Sequence, residues 1–327
     1  MRTLSYADAI REAFAQMLAQ DERVFVIGQG VWSPWYVGTS MTDLDKEFGR
    51  HRVIDAPVSE NATTGAALGS ALAGMRPVVV HPRMDFMLLA VDQIVNQAAN
   101  WCYMSGGRVA APITIRAVVN RGGEQAAQHS QSVHAWFMHV PGLKVVMPST
   151  AYDAKGLLIA AIEDDNPVLY IDDRWLYGEV GDVPLAPYRV PIGRAAVRRE
   201  GRDVTVVATS YMARVAMLAA EELAGRGVDV EVVDLRSLNP LDAETILRSV
   251  EKTRRLVTAD GGWGTAGVGA EVAAVAVSGP RMPLKAPVAR VGLAPAPAPM
   301  SRPLEAAFYP TTASVVRAVE KVMASRT

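Results

Sequence analysis

The sequence predicts an α/β protein made of two doubly wound, mainly parallel-sheet domains. Three observations carry this. Short apolar runs alternate with segments of helical period along the chain, the pattern of strand–helix–strand units that build parallel sheets. The alternation lapses once, over residues 173–192, where Gly181, Pro184, Pro187 and Pro191 gather, and then resumes. At 327 residues the chain is long enough to bury two cores of ordinary size. The expected division is a first domain over 1–185, a linker over 186–192 and a second, smaller domain over 193–327.

Composition narrows the function classes. The chain is 50% hydrophobic and 20% charged with a net charge of −1, which gives no bulk electrostatic reason to bind nucleic acid or an anionic membrane. The single cysteine, Cys102, excludes an intrachain disulfide and a cysteine-cluster metal site. No apolar run approaches the ~20 residues needed to span a bilayer. The N-terminus reads straight into an amphipathic helix with no targeting pattern, so the expected compartment is the cytoplasm.

In order along the chain, residues 6–19 have helical spacing with Ser5 as N-cap. A strand over 23–27 ends at Gly28-Gln29-Gly30, which lacks the third glycine and the following helix of a dinucleotide fingerprint. A short helix over 41–48 is closed by Gly49. The strand 52–54 runs through Asp55-Ala56-Pro57-Val58-Ser59 to Glu60, at the mouth of a helix of small residues. Gly65 and Gly69 fall on one face of that helix and suggest close approach of another backbone. The strand 77–80 leads into His81-Pro82-Arg83-Met84-Asp85-Phe86 and one long helix that breaks at Ser105-Gly106-Gly107. A strand over 112–116, a glycine-bearing loop over 120–128, His129, a strand over 143–147, a helix over 152–162 and a strand over 167–171 complete the first domain. Strands over 203–209, 228–235, 255–259 and 288–291 alternate with helices over 212–225, 241–251, 267–277 and 312–324 in the second.

Candidate residues follow from position. Glu60 reads either as a first-turn acid that complements the helix dipole or as a functional carboxylate. Asp85 stands where open α/β sheets place ligand contacts, or is a helix N-cap. His129, among Gln128, Ser130 and Gln131, suits a proton donor or acceptor facing a pocket, or is a surface histidine. His51 and His81 read as structural, Met84 and Phe86 as core. There is no G-x-S-x-G elbow, no phosphate-binding G-x-x-x-x-G-K-[ST] loop and no HExxH.

The order of motifs resembles the β subunit of thiamine diphosphate-dependent E1 components of 2-oxo acid dehydrogenases, nearest to the pyruvate type. The blocks that carry it include Asp92-Gln93-Ile94-Val95-Asn96, Tyr103-Met104-Ser105-Gly106-Gly107, Ala126-Ala127-Gln128-His129-Ser130-Gln131, Pro141-Gly142-Leu143-Lys144-Val145-Val146 and Val233-Asp234-Leu235-Arg236-Ser237-Leu238. The resemblance runs in collinear order through essentially the whole chain. It implies a pyrimidine-binding domain followed by a transketolase C-terminal-like domain. Glu60 would hydrogen-bond the aminopyrimidine N1′ of the cofactor, Phe86 would lie beside that ring, and His129 would assist proton transfer and guide the acyl acceptor. Gln29 and Asp85, each following a strand, join them as candidate cofactor contacts. Ile113, Ala161, Ile162, Asp164 and Asn166 match a structural site for a monovalent cation such as K+.

The diphosphate and Mg²⁺ motif of the family is absent, and Gly181-Asp182-Val183 does not replace it. The implied assembly is therefore an α2β2 heterotetramer in which the α chain holds the Mg²⁺ and the diphosphate. The implied reaction is decarboxylation of a pyruvate-like 2-oxo acid with acyl transfer to lipoyl-E2. The alternatives are an E2-independent carboligase or transketolase-like two-subunit enzyme, and a non-catalytic assembly subunit. Departures motivate the alternatives. Gln29 stands where the family has a glutamate, so it cannot exchange a proton between sites. His81-Pro82-Arg83-Met84 stands where the family has a Phe-containing strand end, and Arg83 reads either as a contact for an anionic substrate group or as surface. Asp260-Gly261-Gly262, Pro295 and Met300 alter the usual E2-docking loops, and the aromatic loop Trp32-Ser33-Pro34-Trp35-Tyr36 is unusual.

Overall fold

The computed structural model describes residues 2–279 and 283–325. The ends of the two expected domains at Met1 and 326–327, and residues 280–282 within the second, lie outside the described residues. The chain divides into two compact units. One comprises the chain through Arg121 together with Gln128–Ile192, and the other comprises Gly122–Ala127 and the chain from Gly193.

The first unit holds strands β1 (Arg2–Ser5), β2 (Val24–Gly28), β3 (Val53–Asp55), β4 (Arg76–His81), β5 (Thr114–Val119), β6 (Lys144–Val146), β7 (Val168–Asp173) and β8 (Val180–Val183). Six of these lie side by side in the order β6-β7-β5-β4-β2-β3, and every pairing among them is parallel. β5 and β7 are buried at every residue, as strands covered on both faces must be, which is why they read as unbroken apolar runs. Helix Tyr6–Gln20 begins as expected, with the Ser5 hydroxyl accepting from the Asp8 amide.

Three expectations change here. β1 and β8 pair antiparallel, so part of the stretch read as a lapse is a small sheet. Its Val-Gly-Asp-Val sequence is too short and too exposed to carry a strand signal. Buried Lys155 fastens the segment after β8, its ammonium donating to Glu12 and to the carbonyls of Pro184, Leu185 and Ala186. The single long helix after β4 is instead a turn of α-helix (Met84–Met87), a 3₁₀ turn (Leu88–Ala90), a π-helix (Asp92–Ala98) and an α-helix (Ala99–Met104). The Ala99 backbone N–H donates to the Ile94 carbonyl, five residues back, where the ladder is widened. Gly69 has nothing within 4 Å of where a Cβ would stand, and Gly65 meets only the Gln93 side chain at 3.6 Å. No backbone of the described chain packs on that glycine face.

The second unit orders its five-stranded sheet as β14-β13-β10-β11-β9, with β9 (Ala196–Arg199) antiparallel at one edge and β10 (Val204–Ala208), β11 (Val230–Asp234), β13 (Leu256–Trp263) and β14 (Ala289–Leu293) parallel. β12 is the short Ser237–Asn239. β9 and helix Arg302–Phe308 carried too little periodicity to be expected. The core of this unit joins Val206, Ala208, Val232 and Val257 of the sheet to Val215 and Ala219 of helix Tyr211–Ala224 and Val315 and Val319 of helix Thr312–Ala324.

Candidate active site

The six-stranded order of the first unit reverses direction between β2 and β4, and such a switch point opens a crevice at the carboxyl ends of the strands. Gly28 and Gln29 leave β2 there, Pro57, Ser59 and Glu60 follow β3, and Val79–Pro82 close β4. Together with Thr63 they line a cavity of about 10 Å³, room for one water. Gly28 is required, since a Cβ would stand 2.3 Å from the Val80 carbonyl oxygen across the pair.

Glu60 is the first residue of helix Glu60–Leu72 and is buried, at 8% exposure. Its carboxyl has no hydrogen-bond or ion-pair partner among the described residues. The helix N-terminus therefore holds a carboxylate that the chain itself leaves unused. Gln29, which lines the same cavity, has its Oε1 buried without a partner, and so does Gln93, whose side chain lies against Gly65 further along the helix. Orphaned buried acceptors of this kind are costly and mark a place where a ligand completes the bonding. Glu60 is a first-turn acid of its helix, and it also lines the cavity.

Phe86 and His129 meet edge to face, with ring centroids 5.3 Å apart at 82°. Asp85 accepts from the Gln131 amide at 3.1 Å, and its other oxygen is buried without a partner. Burial pushes the Asp85 carboxyl up, against the lowering effects of Gln131 and nearby His129. Arg83 corrects the surface reading: it is 5% exposed, with its guanidinium donating to the Pro82 carbonyl at 2.7 Å. Burial pulls its pKa down first, then the like charge of Arg174, with Asp85 opposing. His81 is buried against Thr64 at 3.3 Å, and burial lowers it to about 4, which leaves it neutral and structural.

Glu60, Gln29, Phe86, Asp85 and His129 are thus all placed by the carboxyl ends of the strands. The five cation candidates are not: they cluster at the opposite ends of the same strands, and the carbonyls of two of them, Ile162 and Asp164, converge on a side chain. Arg76, the first residue of β4, donates to the Ile162 carbonyl at 3.2 Å and the Asp164 carbonyl at 3.0 Å and pairs with Asp165. The Ala161 carbonyl accepts from the Thr114 hydroxyl at 3.0 Å, and the Ile113 carbonyl from the Val168 amide at 3.1 Å. The Asp164 carboxylate takes Lys144 at 2.5 Å and the Asn166 amide at 2.9 Å. A guanidinium supplies the positive charge here, so the donor set does not fit a K+ ion and no step is drawn through one. Among the described residues no group of three or more His, Cys, Asp or Glu could hold a metal.

Sequence reasoning gave Gln93 no role and left Arg83 ambiguous. The signal for Arg83 was its position directly after a fully apolar strand at the ligand end of the sheet. For Gln93 there was none, because its placement depends on the π-helix.

The transketolase pyrimidine-binding domain matches residues 2–179, and the transketolase C-terminal domain matches residues 193–315. The chain belongs to the transketolase-like family of thiamine diphosphate-dependent enzymes, in its 2-oxo acid dehydrogenase E1 β branch. It is 44% identical over 98% of its length to the mitochondrial pyruvate dehydrogenase E1 component subunit beta of Caenorhabditis elegans, covering 92% of that protein. It is 40% identical to the acetoin:2,6-dichlorophenolindophenol oxidoreductase subunit beta of Bacillus subtilis, over 96% of each chain. Among solved structures it resembles a split-gene transketolase described as an inactive β4 tetramer, with a TM-score of 0.80, 25% identity and 99% of both chains covered. No helix of the described residues is long and apolar enough to cross a membrane.

Proposed function

We propose that this chain is the β half of a two-subunit E1 that decarboxylates a 2-oxo acid, with thiamine diphosphate bound jointly with an α chain. The observation that carries this reading is the buried Glu60 carboxyl, unpartnered at the switch-point crevice. When bound, the cofactor supplies an electron sink for the carbanion left by loss of CO2. Glu60 would hold a proton at the aminopyrimidine N1′, and Phe86 would give that ring an apolar wall. The Gln29 Oε1 and Asp85 stand ready as further polar contacts. His129, fixed edge-on by Phe86, is free to move a proton at the reacting carbon or to meet an incoming acceptor.

A 10 Å³ cavity is too small for an aminopyrimidine ring. The ring would rest at its mouth, with the rest of the wall, the diphosphate and the Mg²⁺ supplied by the α chain. A relative's β chains forming an inactive β4 tetramer supports the same division, and α2β2 is the assembly we expect. The standard acyl acceptor would be a lipoyl-bearing E2, in the cytoplasm.

Co-expression with a candidate α chain, followed by decarboxylation assays over a 2-oxo acid panel with and without a lipoyl domain, tests this reading. Turnover that needs both chains and added thiamine diphosphate supports it. Turnover by the β chain alone, or none by any pair that assembles and binds the cofactor, overturns it. A second reading keeps the site but changes the acceptor to a small aldehyde without E2. The acetoin-linked name of the Bacillus relative and the non-ionisable Gln29 favour it. Its sign would be carboligation with no acylation of the lipoyl domain.

A further inference from the structure

Three arginines leave the carboxyl ends of three adjacent strands in one row: Arg83 after β4, Arg121 after β5 and Arg174 after β7. Their settings differ. Arg121 pairs with Asp173 and lies over the Trp175 ring at 5.5 Å. Half-buried Arg174 donates to the Trp35 carbonyl at 3.1 Å and the Tyr36 carbonyl at 3.3 Å, which ties down the aromatic loop. Arg83 stands between them and the crevice. It follows Pro82, which lines the Glu60 cavity, and its electrostatic neighbours are Arg174, Asp85, Tyr177 and Tyr36. Asp85 in turn is bonded to the Gln131 amide, two residues from His129.

We infer that Arg83 selects a substrate carrying a second anionic group, remote from the carboxylate that is lost. This rests on the decarboxylase reading above and names the substrate class for it. A guanidinium beside the leaving carboxylate would stabilise the ground-state charge and oppose loss of CO2, so it would be wasted there. Beside a remote carboxylate or phosphate the same charge persists through the reaction and serves orientation. The planar fork of arginine suits either anion, and a low-dielectric setting strengthens the pair. Arg174 adds like charge nearby, and Asp85 supplies charge of the opposite sign, so an anion entering here meets a net positive pair of guanidinium groups. The anion can belong to the 2-oxo acid or to the acyl acceptor, and the two arms of the test distinguish them.

The test uses the assembled pair with thiamine diphosphate. In the donor arm, 2-oxoglutarate and 2-oxoadipate are compared with 2-oxopentanoate and 2-oxohexanoate. In the acceptor arm, glyceraldehyde 3-phosphate is compared with glyceraldehyde. The wild type should prefer the charged member of one arm by about tenfold or more in kcat/KM, mostly through KM. Arg83→Met should erase that preference and Arg83→Lys should restore part of it. Equal kcat/KM within both arms in the wild type, or a preference that survives Arg83→Met, overturns the inference. Calorimetric titration of the pair with glutarate against pentanoate gives a readout independent of turnover. Glutarate binding that weakens about tenfold in Arg83→Met supports Arg83 even where the decarboxylase reading fails. Binding equal in the two proteins counts against it whatever the activity.

Discussion

The two ends of the six-stranded sheet share their strands and little else. At the amino ends, the polar groups of Arg76, Thr114, Lys144 and Asp164 are tied to one another and to the carbonyls that finish helix Ala151–Glu163. At the carboxyl ends, Gln29 Oε1 and Asp85 Oδ2 are buried without partners, Ser130 Oγ likewise, and the Glu60 carboxyl is unused. Burying an unpaired acceptor costs about 1–3 kcal/mol. Among the described residues several such atoms gather at the carboxyl ends, whereas those amino-end groups are all paired and close the helix terminus.

The largest test of this contrast is Glu60→Gln. The substitution keeps the shape and removes the ionisable group. Turnover of the assembled pair should fall about a thousandfold, as for loss of a group that manages a proton. Urea stability of the purified chain should change by no more than about 1 kcal/mol, because only the helix-dipole contribution is lost. Full activity in Glu60→Gln would remove the central assignment.

Much of the ligand end was legible in sequence because position along a parallel strand dictates it. Glu60, Asp85 and His129 each follow an apolar run, and open sheets bind ligands where such runs end. That argument gave candidates, and only the resemblance to E1 β subunits makes Glu60 a proposed cofactor contact rather than a dipole-complementing acid alone. The amino ends were less legible for a related reason. Backbone carbonyls have no sequence signature, so Ala161, Ile162 and Asp164 were grouped only by the resemblance, and nothing revealed that Arg76 would reach the carbonyls of Ile162 and Asp164 from β4. The π-helix at Asp92–Ala98 was invisible because a widened turn leaves the apolar spacing of Ile94, Val95 and Ala98 consistent with an ordinary helix.

Arg76→Met probes the closed end. It removes donors from two carbonyls near the end of a helix and breaks a pair with Asp165, whose side chain is 70% exposed and so adds little. The expected loss is about 2–3 kcal/mol in urea unfolding, from the carbonyls alone. kcat per folded active site should stay within about twofold at saturating cofactor, since no group at the ligand end is touched. If K+ serves this site alongside the guanidinium, replacing K+ by Na+ would shift the wild-type midpoint. Equal midpoints in the two salts are expected.

His81 lies on the boundary, at the ligand end but closed off against Thr64. Its pKa falls from 6.5 to about 4 through burial, so the folded protein resists protonating it while the unfolded chain does not. The sign is set by that order: above pH ~6.5 both states are neutral and there is no penalty, and as pH falls from there toward 4 the unfolded state gains the proton first and stability drops. Between pH 7 and pH 5 this one group should cost the wild type about 2 kcal/mol. His81→Gln keeps a polar partner for Thr64 but has nothing to titrate, so its urea midpoint should change less over the same interval. Parallel pH profiles for the two proteins would show that His81 reaches solvent in the folded state, and would move the border between the closed and open parts of the sheet one residue inward from Pro82.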